Sequence, residues 1–276
     1  MRFDWYQATI RDDERTVLDV LSVGLAAEVR PSTRMHGYER GYDLHAEGST
    51  VARVLAGGRN GWPNVTASGD DTDALVPVVR SSWPDLHRVT RMDAAQDFDG
   101  PGTWDRLYAP AIALADERRI KVDQAGDWHR NEYGRTLYLG SRKSAVMVRL
   151  YEKGKQLREH ALDQASDISS DLCRLEVQVR PEKASREHAA RATPEEAFGY
   201  SDWTRELASR VMGLDVDRVH IRERRQSDQE RALTWLVMQY GAHLEERAAE
   251  LGSWADLGEE LRMRHERIKR QREERD

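Results

Sequence analysis

Apolar and polar residues alternate along several stretches of the chain, a pattern typical of strands that bury one face. The most regular stretch is LCRLEVQVR at 172–180, which predicts a strand with an apolar face and a polar face. The polar face of this predicted strand consists of Arg174, Glu176, Gln178 and Arg180.

A second stretch, LHRVTRMDAAQDF at 86–98, predicts a long strand with one face made of Val89, Arg91, Asp93, Ala95 and Asp97. Two carboxylates on one strand face must be solvated, paired with arginine or bound to a cation.

The segment 134–155, GRTLYLGSRKSAVMVRLYEKGK, predicts a hairpin with strands at 135–139 and 145–151. Its second strand is predicted to expose a polar face made of Met147, Arg149, Tyr151 and then Lys153. The segment holds six basic residues and one acidic residue, although the whole chain has a formal charge of −6. This local excess of cations predicts an anion site at which Arg149 and Lys153 favour the phenolate form of Tyr151. A solvated face of a half-buried hairpin accounts for the same pattern.

The rest of the chain mixes short strands with amphipathic helices. Further strands are predicted at 2–10, 37–45, 50–55 and 65–68, and from Ile120 onward. Helices are predicted from an Asp12 cap to Val29, and at 72–81, 103–119, 194–198, 202–212 and 227–251, with a final helix to the C-terminus. These elements predict an α+β fold, in which a central antiparallel β-sheet has helices packed on one face and a helical C-terminal region follows.

Composition narrows the class of protein. The chain has 276 residues, enough for one sizeable domain or two small ones, and 33% of them are charged. Cys173 is the single cysteine, so an internal disulfide and a cysteine-based zinc cluster are both excluded. The N-terminus lacks the pattern of a signal peptide, and no apolar run approaches membrane-spanning length. We therefore expect a cytoplasmic protein with no membrane partner.

The three patterned strands suggest chemistry if they lie side by side in one sheet. Their polar faces would then group Asp93, Asp97 and Glu176 near Tyr151, and grouped carboxylates hold a hard divalent ion such as Mg²⁺ or Mn²⁺. Such an ion polarises a phosphodiester, and a positioned tyrosine can attack the phosphorus. The competing interpretation is a salt-bridged sheet face. In it, Asp93 and Glu176 merely pair with Arg91, Arg149 or Arg174.

The succession TRMDAAQDF, YLGSRKSAVMVRLYEKGKQ and CRLEVQVR resembles the replication initiation factor family. That family comprises rolling-circle initiators of small plasmids and phages, together with relaxases of some integrative conjugative elements. Its pattern is an R-x-D strand with a second Asp four residues on, a Y-x-G-x-R-x-S turn, R-x-Y-x-K, and an R-x-E strand. The resemblance covers residues 85–180. One departure from the pattern is that Met92, Ala94 and Ala95 stand where bulkier aliphatic residues are expected.

The resemblance implies roles for individual residues. Tyr151 matches the nucleophile that nicks one DNA strand and keeps its 5′ phosphate, while the freed 3′-OH primes a polymerase. Tyr138, the rival tyrosine, matches a structural position. The metal ligands implied are Asp93 and Glu176, with Asp97 as a helper, and the metal is Mg²⁺ or Mn²⁺. Arg149 and Lys153 would hold phosphate or steady the phenolate. The expected DNA contacts are Arg142, Lys143, Arg135 and Arg174.

The same resemblance sets the expected domains and partners. Residues 1–215 are predicted to form the catalytic nicking and joining domain, and 216–276 the helical C-terminal region. The first strand begins at residue 2, so we expect no room for the extra N-terminal helical domain of some relatives. The expected partners are origin DNA with its nicked strand, a second copy of the chain in a homodimer, and a host helicase. The basic stretch Arg218–Arg225 is a hypothetical origin contact, although an exposed linker between domains is the favoured interpretation.

Other classes of protein fit less well. A histidine-hydrophobe-histidine endonuclease needs two histidines two residues apart, and none of the nine histidines forms such a pair. A tyrosine recombinase has its tyrosine near the C-terminus, whereas Tyr151 lies mid-chain. A conjugative relaxase with the same chemistry and a non-catalytic DNA-binding protein both stay open. In the C-terminal region, Trp235, Leu236, Met238 and Tyr240 suit either a core or a dimer surface.

Overall fold

The structure, a computed structural model, describes residues 1–160, 167–219 and 228–273. The chain divides into two compact units, and the division falls within residues 220–227, outside the described ranges. Most of the predicted basic stretch Arg218–Arg225 therefore lies outside the described residues. Arg218 itself is described, and its guanidinium contacts the Gly199 carbonyl oxygen at 2.8 Å and the Asp202 carboxylate at 2.9 Å.

A single antiparallel sheet of ten strands forms the centre of the first unit, as far as that unit is described. The strands are β1 (Arg2–Ile10), β2 (Glu28–Ser32), β3 (Arg40–Ala46), β4 (Ser49–Ala56), β5 (Asn64–Ser68), β6 (His87–Phe98), β7 (Val122–Gly126), β8 (Arg135–Leu139), β9 (Val146–Tyr151) and β10 (Cys173–Val179). Their order across the sheet is β2-β3-β4-β5-β1-β6-β10-β9-β8-β7. The strands β1, β6 and β10 are thus central, and β6, β10 and β9 are neighbours.

Helices lie between and after the strands. In the first unit they are α1 (Glu14–Gly24), α2 (Asp71–Ser82), α3 (Thr103–Arg118), α4 (Lys153–His160), α5 (Ser185–Ala189), a 3₁₀ helix (Glu195–Tyr200) and α6 (Asp202–Met212). The second unit contains α7 (Asp228–Leu251) and α8 (Trp254–Glu273). The predicted α+β fold class is confirmed. Every helix in the described ranges is too short or too polar to span a lipid bilayer.

One hydrophobic core joins the apolar face of the sheet to the helices. Alternation along the strands supplies the sheet side of this core, with Val148 and Leu150 from β9 and Leu175 and Val177 from β10. Burial of such side chains provides the dominant favourable term in folding, at roughly 25 cal/mol per Å² of apolar surface. The helices contribute fully buried side chains such as Leu21, Leu75, Leu107, Leu114 and Leu207.

The first helix is shorter than the sequence pattern predicts. Asp13, and not Asp12, forms its N-cap, because the Asp13 carboxylate accepts a hydrogen bond from the Thr16 N–H at 3.0 Å. The helix ends at Gly24, and the unpredicted strand β2 follows it. A strand containing Pro31 is compatible with this position, because β2 lies at the sheet edge and a missing N–H costs little there.

A β-bulge in β6 corrects the predicted face of Val89. The register pairs Gln7 with Arg91 and then Ala8 with Val89, so Thr90 is an extra residue on β6. Beyond the bulge the alternation changes face, and Val89 is fully buried in the core. Arg91, Asp93, Ala95 and Asp97 keep the common polar face that was predicted. A sequence pattern with a period of two cannot reveal such an inserted residue.

In the second unit, taken by itself, α7 and α8 carry several exposed apolar residues. Leu236, Met238 and Tyr240 on α7 are 40%, 83% and 46% exposed, and the side chain of Trp235 lies outside the described set. The expected homodimer stays a prediction.

Gly154 is a position where the packing tolerates no side chain. It follows Tyr151 closely at the start of α4, and its N–H donates to the Leu172 carbonyl oxygen at 2.8 Å. A Cβ at this position would overlap the backbone carbonyl oxygen of Ser169. We expect Gly154→Ala to lower the free energy of unfolding by about 2 kcal/mol, because the backbone before β10 must shift to admit the methyl group. Urea denaturation of the full chain, followed by near-ultraviolet circular dichroism, measures the change.

Gly258→Ala is the matched control for this substitution. A Cβ on Gly258, in α8, meets no atom within 4 Å, so we expect the transition of the first unit to stay unchanged. An unaltered midpoint for Gly154→Ala would show that the contact with Ser169 relaxes freely.

Candidate active site

The neighbouring strands β6, β10 and β9 bring the predicted site residues onto one face of the sheet. Tyr151 lies opposite Arg174, which in turn lies opposite Asp97. One row along, Arg149 lies opposite Glu176. Side chains that are directly opposite or two residues apart share a face, so the polar residues of the three strands form one continuous surface. We call this surface the polar platform.

The centre of the polar platform is buried, although a solvated face was one of the expected arrangements. All seven residues of β10 are buried, including Arg174, Glu176 and Gln178. Asp93 on β6 is 2% exposed, and Tyr151 on β9 is 8% exposed. The polar side chains cover one another, because strands flank β10 on both sides and carry long side chains on this face.

Each buried carboxylate of the platform is paired with an arginine. Asp93 accepts two hydrogen bonds from Arg91, at 2.9 and 2.5 Å, and a third from Gln178 at 3.2 Å. Glu176 accepts from the Arg149 guanidinium at 2.5 Å. This pairing follows from burial, since an uncompensated charge inside a protein costs several kcal/mol. The salt-bridged face considered from the sequence therefore exists, and it coexists with the grouping of the carboxylates.

Asp97 has a different partner from Asp93. Both of its carboxylate oxygens accept from Arg174, at 2.5 and 2.6 Å. The Arg174 side chain is only 3% exposed, and it also donates to Asp4 on β1 at 2.6 Å. Burial lowers the pKa of Arg174, but the hydrogen bonds and charges of these partners raise it by a larger amount. The pKa of Arg174 therefore lies above its ordinary value. Arg174 is thus a fixed cation beside Tyr151, held by two carboxylates. Its direct contact with DNA stays a prediction, as does the role of Asp97 as a helper for a metal.

Glu176 is the carboxylate that the site perturbs most. Its pKa is raised to about 7, chiefly by burial and in addition by the charge of Asp93, while Arg149 acts in the opposite direction. Asp93 lies diagonally from Glu176 across β6 and β10, a geometry that separates the residues by about 7 Å. Two carboxylates at this separation repel each other, and a cation between them would relieve that repulsion.

The Tyr151 ring borders a cavity of about 350 Å³ at the edge of the polar platform. The Arg149 guanidinium carbon lies 4.9 Å from the ring centroid and the Lys153 ammonium 5.9 Å from it, a distance typical of cation–π contacts. Lys153 was expected to continue the polar face of the strand, but β9 ends at Tyr151 and Lys153 is the first residue of α4. The Lys153 ammonium nevertheless lies close to the Tyr151 ring.

The predicted preference for a phenolate is wrong for the protein without DNA. Burial is the largest effect on Tyr151, and it raises the pKa of the phenol. Glu176 raises the pKa further, and the lowering by Arg174 and Arg149 does not compensate. Burial therefore keeps the phenol protonated at neutral pH. The prediction failed because the sequence pattern of flanking cations carries no information about desolvation.

Tyr138 borders the same cavity as Tyr151. It lies opposite Arg149 on the neighbouring strand β8, and the Arg142 guanidinium carbon lies 4.8 Å from the centroid of its ring. Its own exposure is intermediate. The two tyrosines thus border one cavity, and each has an arginine against its ring.

The expected DNA contacts fall into two groups. Arg142 and Lys143 lie on the exposed turn between β8 and β9. Arg135 instead makes contacts within the protein. Its guanidinium donates to the buried Glu152 at 3.0 and 3.1 Å and lies 4.5 Å from the centroid of the Trp104 ring. Contacts of these residues with DNA stay predictions.

The oxygen atoms of the polar platform suit a hard divalent cation. Within the described ranges, no group of three or more His, Cys, Asp or Glu residues is placed to hold a metal. Asp93 and Glu176 supply two carboxylates, and the side-chain carbonyl oxygen of Gln178 is buried without a hydrogen-bond partner. Mg²⁺ commonly binds one or two carboxylates and takes its remaining ligands from water and phosphate, so this donor set fits. Gln178 was not predicted as a candidate ligand, although its place on the polar face of β10 could have indicated it.

Comparison with known proteins identifies the family. The model of the family described as replication initiation factor matches residues 87–246, which is more than half of the chain. The chain belongs to the replication initiation factor family. The matched region includes β6, β9 and β10 and therefore all the residues of the polar platform on these strands.

The fold agrees with this membership of the replication initiation factor family. A solved structure of a rolling circle replication initiator protein from Geobacillus stearothermophilus matches with a TM-score of 0.52 and 19% sequence identity. The match covers 83% of this chain and 89% of that chain. At this identity the likeness shows a shared fold. No curated protein sequence matched the chain.

The shared cation Arg174 gives a test of the platform's construction. Replacement by Met keeps much of the side-chain volume but leaves Asp97 and Asp4 without their partner. We expect Arg174→Met to lower the free energy of unfolding by about 1–3 kcal/mol, as measured by urea denaturation. The control is Arg191→Met. It breaks an exposed pair with Asp85, so its effect should stay below about 0.5 kcal/mol. Equal effects of the two substitutions would contradict the platform as described.

Proposed function

We propose that this chain initiates rolling-circle DNA replication by nicking one strand at an origin, with Tyr151 as the nucleophile. The observation that carries the proposal is the position of Tyr151. Its ring borders an open cavity and lies among Arg149, Lys153 and Arg174, next to the buried carboxylates of the polar platform. A nucleophile needs access to the substrate, cations for the phosphate and a fixed orientation, and this arrangement supplies all three.

The proposed reaction conserves one phosphodiester linkage. The Tyr151 phenolic oxygen attacks the phosphorus and forms a new P–O bond, while the bond from phosphorus to the 3′ oxygen breaks. The phenol releases one proton and the 3′ oxygen takes up one proton, so no net proton is consumed. The products are a 5′-phosphotyrosine link and a free 3′-OH that serves as a primer. Reversal of the same step by another 3′-OH rejoins the strand.

The basic side chains around Tyr151 have distinct parts in this proposal. Arg149 is held by Glu176, and its Nε is buried without a hydrogen-bond partner, so a donor stays available there. Burial lowers the pKa of Lys153, and the charge of Arg174 lowers it further. An incoming phosphate would reverse this effect by pairing with Lys153. Both groups would stabilise the negative charge that develops on the phosphoryl oxygens.

A divalent cation belongs to the proposed reaction, with Asp93 and Glu176 as its carboxylate ligands and Gln178 as a carbonyl ligand. When bound, Mg²⁺ or Mn²⁺ supplies Lewis-acid polarisation of the scissile phosphate. The protein's own part is to hold these oxygens on rigid central strands. Arg91 and Arg149 compensate the two carboxylates in its absence.

Further features of the proposal concern partners. DNA contacts at Arg142 and Lys143, a homodimer and a host helicase are proposed from the resemblance described above. A conjugative relaxase would use the same residues.

The nucleophile is tested by nicking of a supercoiled plasmid that carries the origin of the element encoding this protein. We expect wild-type protein with Mn²⁺ or Mg²⁺ to give nicked circles with protein attached to the DNA. Tyr151→Phe should abolish both products, because it removes the attacking oxygen while keeping the ring.

Tyr138→Phe is the matched control, since Tyr138 borders the same cavity. It should retain nicking and attachment. Loss of nicking with Tyr138→Phe but not with Tyr151→Phe would identify Tyr138 as the nucleophile and contradict the assignment to Tyr151. Wild-type protein that binds the origin but never cuts it would refute the enzymatic proposal.

The metal ligands are tested by calorimetric titration of Mn²⁺ into the full chain without DNA. We expect Asp93→Asn and Glu176→Gln each to weaken Mn²⁺ binding at least about tenfold, because each removes a charged ligand. Asp85→Asn removes an exposed carboxylate outside the platform and should leave the affinity unchanged. Asp97→Asn reports whether the helper role predicted for Asp97 is correct. Unchanged affinity in both Asp93→Asn and Glu176→Gln would place the metal elsewhere.

A further inference from the structure

A second and larger cavity, of about 690 Å³, lies beside the polar platform. Trp5 on β1 and Arg91 on β6 contribute to its lining. Trp5 is directly opposite Asp93 in the register, and Arg91 is two residues from Asp93, so both side chains lie on the same sheet face as the platform. Neighbouring strands lie about 4.8 Å apart, which places this cavity immediately next to the proposed metal ligand Asp93.

The lining offers a flat surface with an unused hydrogen-bond donor. The Arg91 guanidinium carbon lies 4.6 Å from the centroid of the Trp5 ring, and Asp93 fixes this guanidinium in place. The indole Nε1 of Trp5 is buried and has no hydrogen-bond partner in the structure as described. An unpaired buried donor is costly unless a ligand satisfies it. Nucleobases have a π face for stacking on aromatic rings or guanidinium planes, and acceptors along their edges.

The charge of the lining suits a phosphate. Its described residues include three arginines, Arg53, Arg91 and Arg180, against the one carboxylate of Asp71. Arg53 is paired with Asp43, and Arg91 with Asp93. Arg180 forms no ion pair with any described residue, and its guanidinium donates to the Arg142 carbonyl oxygen at 2.6 Å. This contact connects the cavity to the turn between β8 and β9.

We propose that this cavity holds one unpaired nucleobase of the nicked strand, within two nucleotides of the scissile phosphate. The base stacks on the Trp5–Arg91 pair, while the Trp5 indole N–H, which points outward in the plane of its ring, donates to a sugar or phosphate oxygen of the same strand. A flanking phosphate binds Arg180. The inference rests on the proposed nicking function. Its consequence is that the protein holds the strand in an unstacked conformation next to the metal ligands, and so positions the scissile phosphate.

The test uses single-stranded oligonucleotides that span the nick mapped with wild-type protein. Each oligonucleotide carries one abasic residue, and binding to the uncleaving Tyr151→Phe chain is measured by fluorescence anisotropy. We expect an abasic residue at one position within two nucleotides of the nick to weaken binding about tenfold, the typical effect of losing a stacked base. Trp5→Ala in the same background should weaken binding of the intact oligonucleotide about equally. It should also become insensitive to the abasic residue at that position.

Trp62→Ala is the matched control, because Trp62 is a partly exposed tryptophan of the same unit that does not line the cavity. It should bind like the Tyr151→Phe parent and respond to the same abasic position. If Trp5→Ala does not fold, Arg180→Gln decides the question. It should weaken binding and reduce the slope of log affinity against log salt by about one, because one phosphate contact is lost.

The outcomes separate this inference from the proposed function. Tyr151-dependent nicking, combined with no sensitive abasic position near the nick, would overturn the inference and leave the nicking proposal intact. An additive effect of Trp5→Ala and the abasic residue would also overturn it. If wild-type protein nicks no DNA, the proposed function itself has failed.

Discussion

The compensation of buried charge on the strand β10 is the constraint on which the site depends. Arg174, Glu176 and Gln178 are withdrawn from water at the centre of a sheet whose other face is the hydrophobic core. Each charged group in such a position requires a fixed partner, and Asp97 and Arg149 provide it from the neighbouring strands. These pairs fix the orientation of the cations beside Tyr151 before any substrate arrives. Preorganisation of this kind is how protein groups stabilise developing charge.

The same burial disfavours the phenolate form of Tyr151 in the protein without DNA. Burial raises the pKa of Tyr151, although it lies among cations, and burial also raises the pKa of Glu176. A site that favours neutral groups in the free protein becomes favourable to charged ones once phosphate and a divalent cation are present. Under the proposed function, this difference would restrict nicking to the complex with DNA. Two unused donors, Nε of Arg149 and Nε1 of the Trp5 indole, are consistent with a surface completed by a ligand.

Much of the site could be predicted from the sequence, because alternation with a period of two assigns strand faces directly. The strands β6, β9 and β10 and the common face of Asp93 and Asp97 are found as expected. Three features were beyond the pattern. The bulge at Thr90 depends on pairing with β1, the burial of β10 depends on its central place in the sheet, and the edge strand β2 contains a proline. Each is set by tertiary neighbours, so local residue order does not encode it.

Peptide mapping of the protein–DNA adduct by tandem mass spectrometry tests the proposed role of Tyr151 most directly. Wild-type protein would be incubated with origin DNA and Mn²⁺, and then digested with nuclease and protease. We predict a nucleotide mass attached through phosphate to Tyr151 and to no other residue. Attachment at Tyr138 or Tyr133, which border the same cavity, would contradict the assignment. Nicked DNA with no protein adduct at all would contradict covalent catalysis by this site.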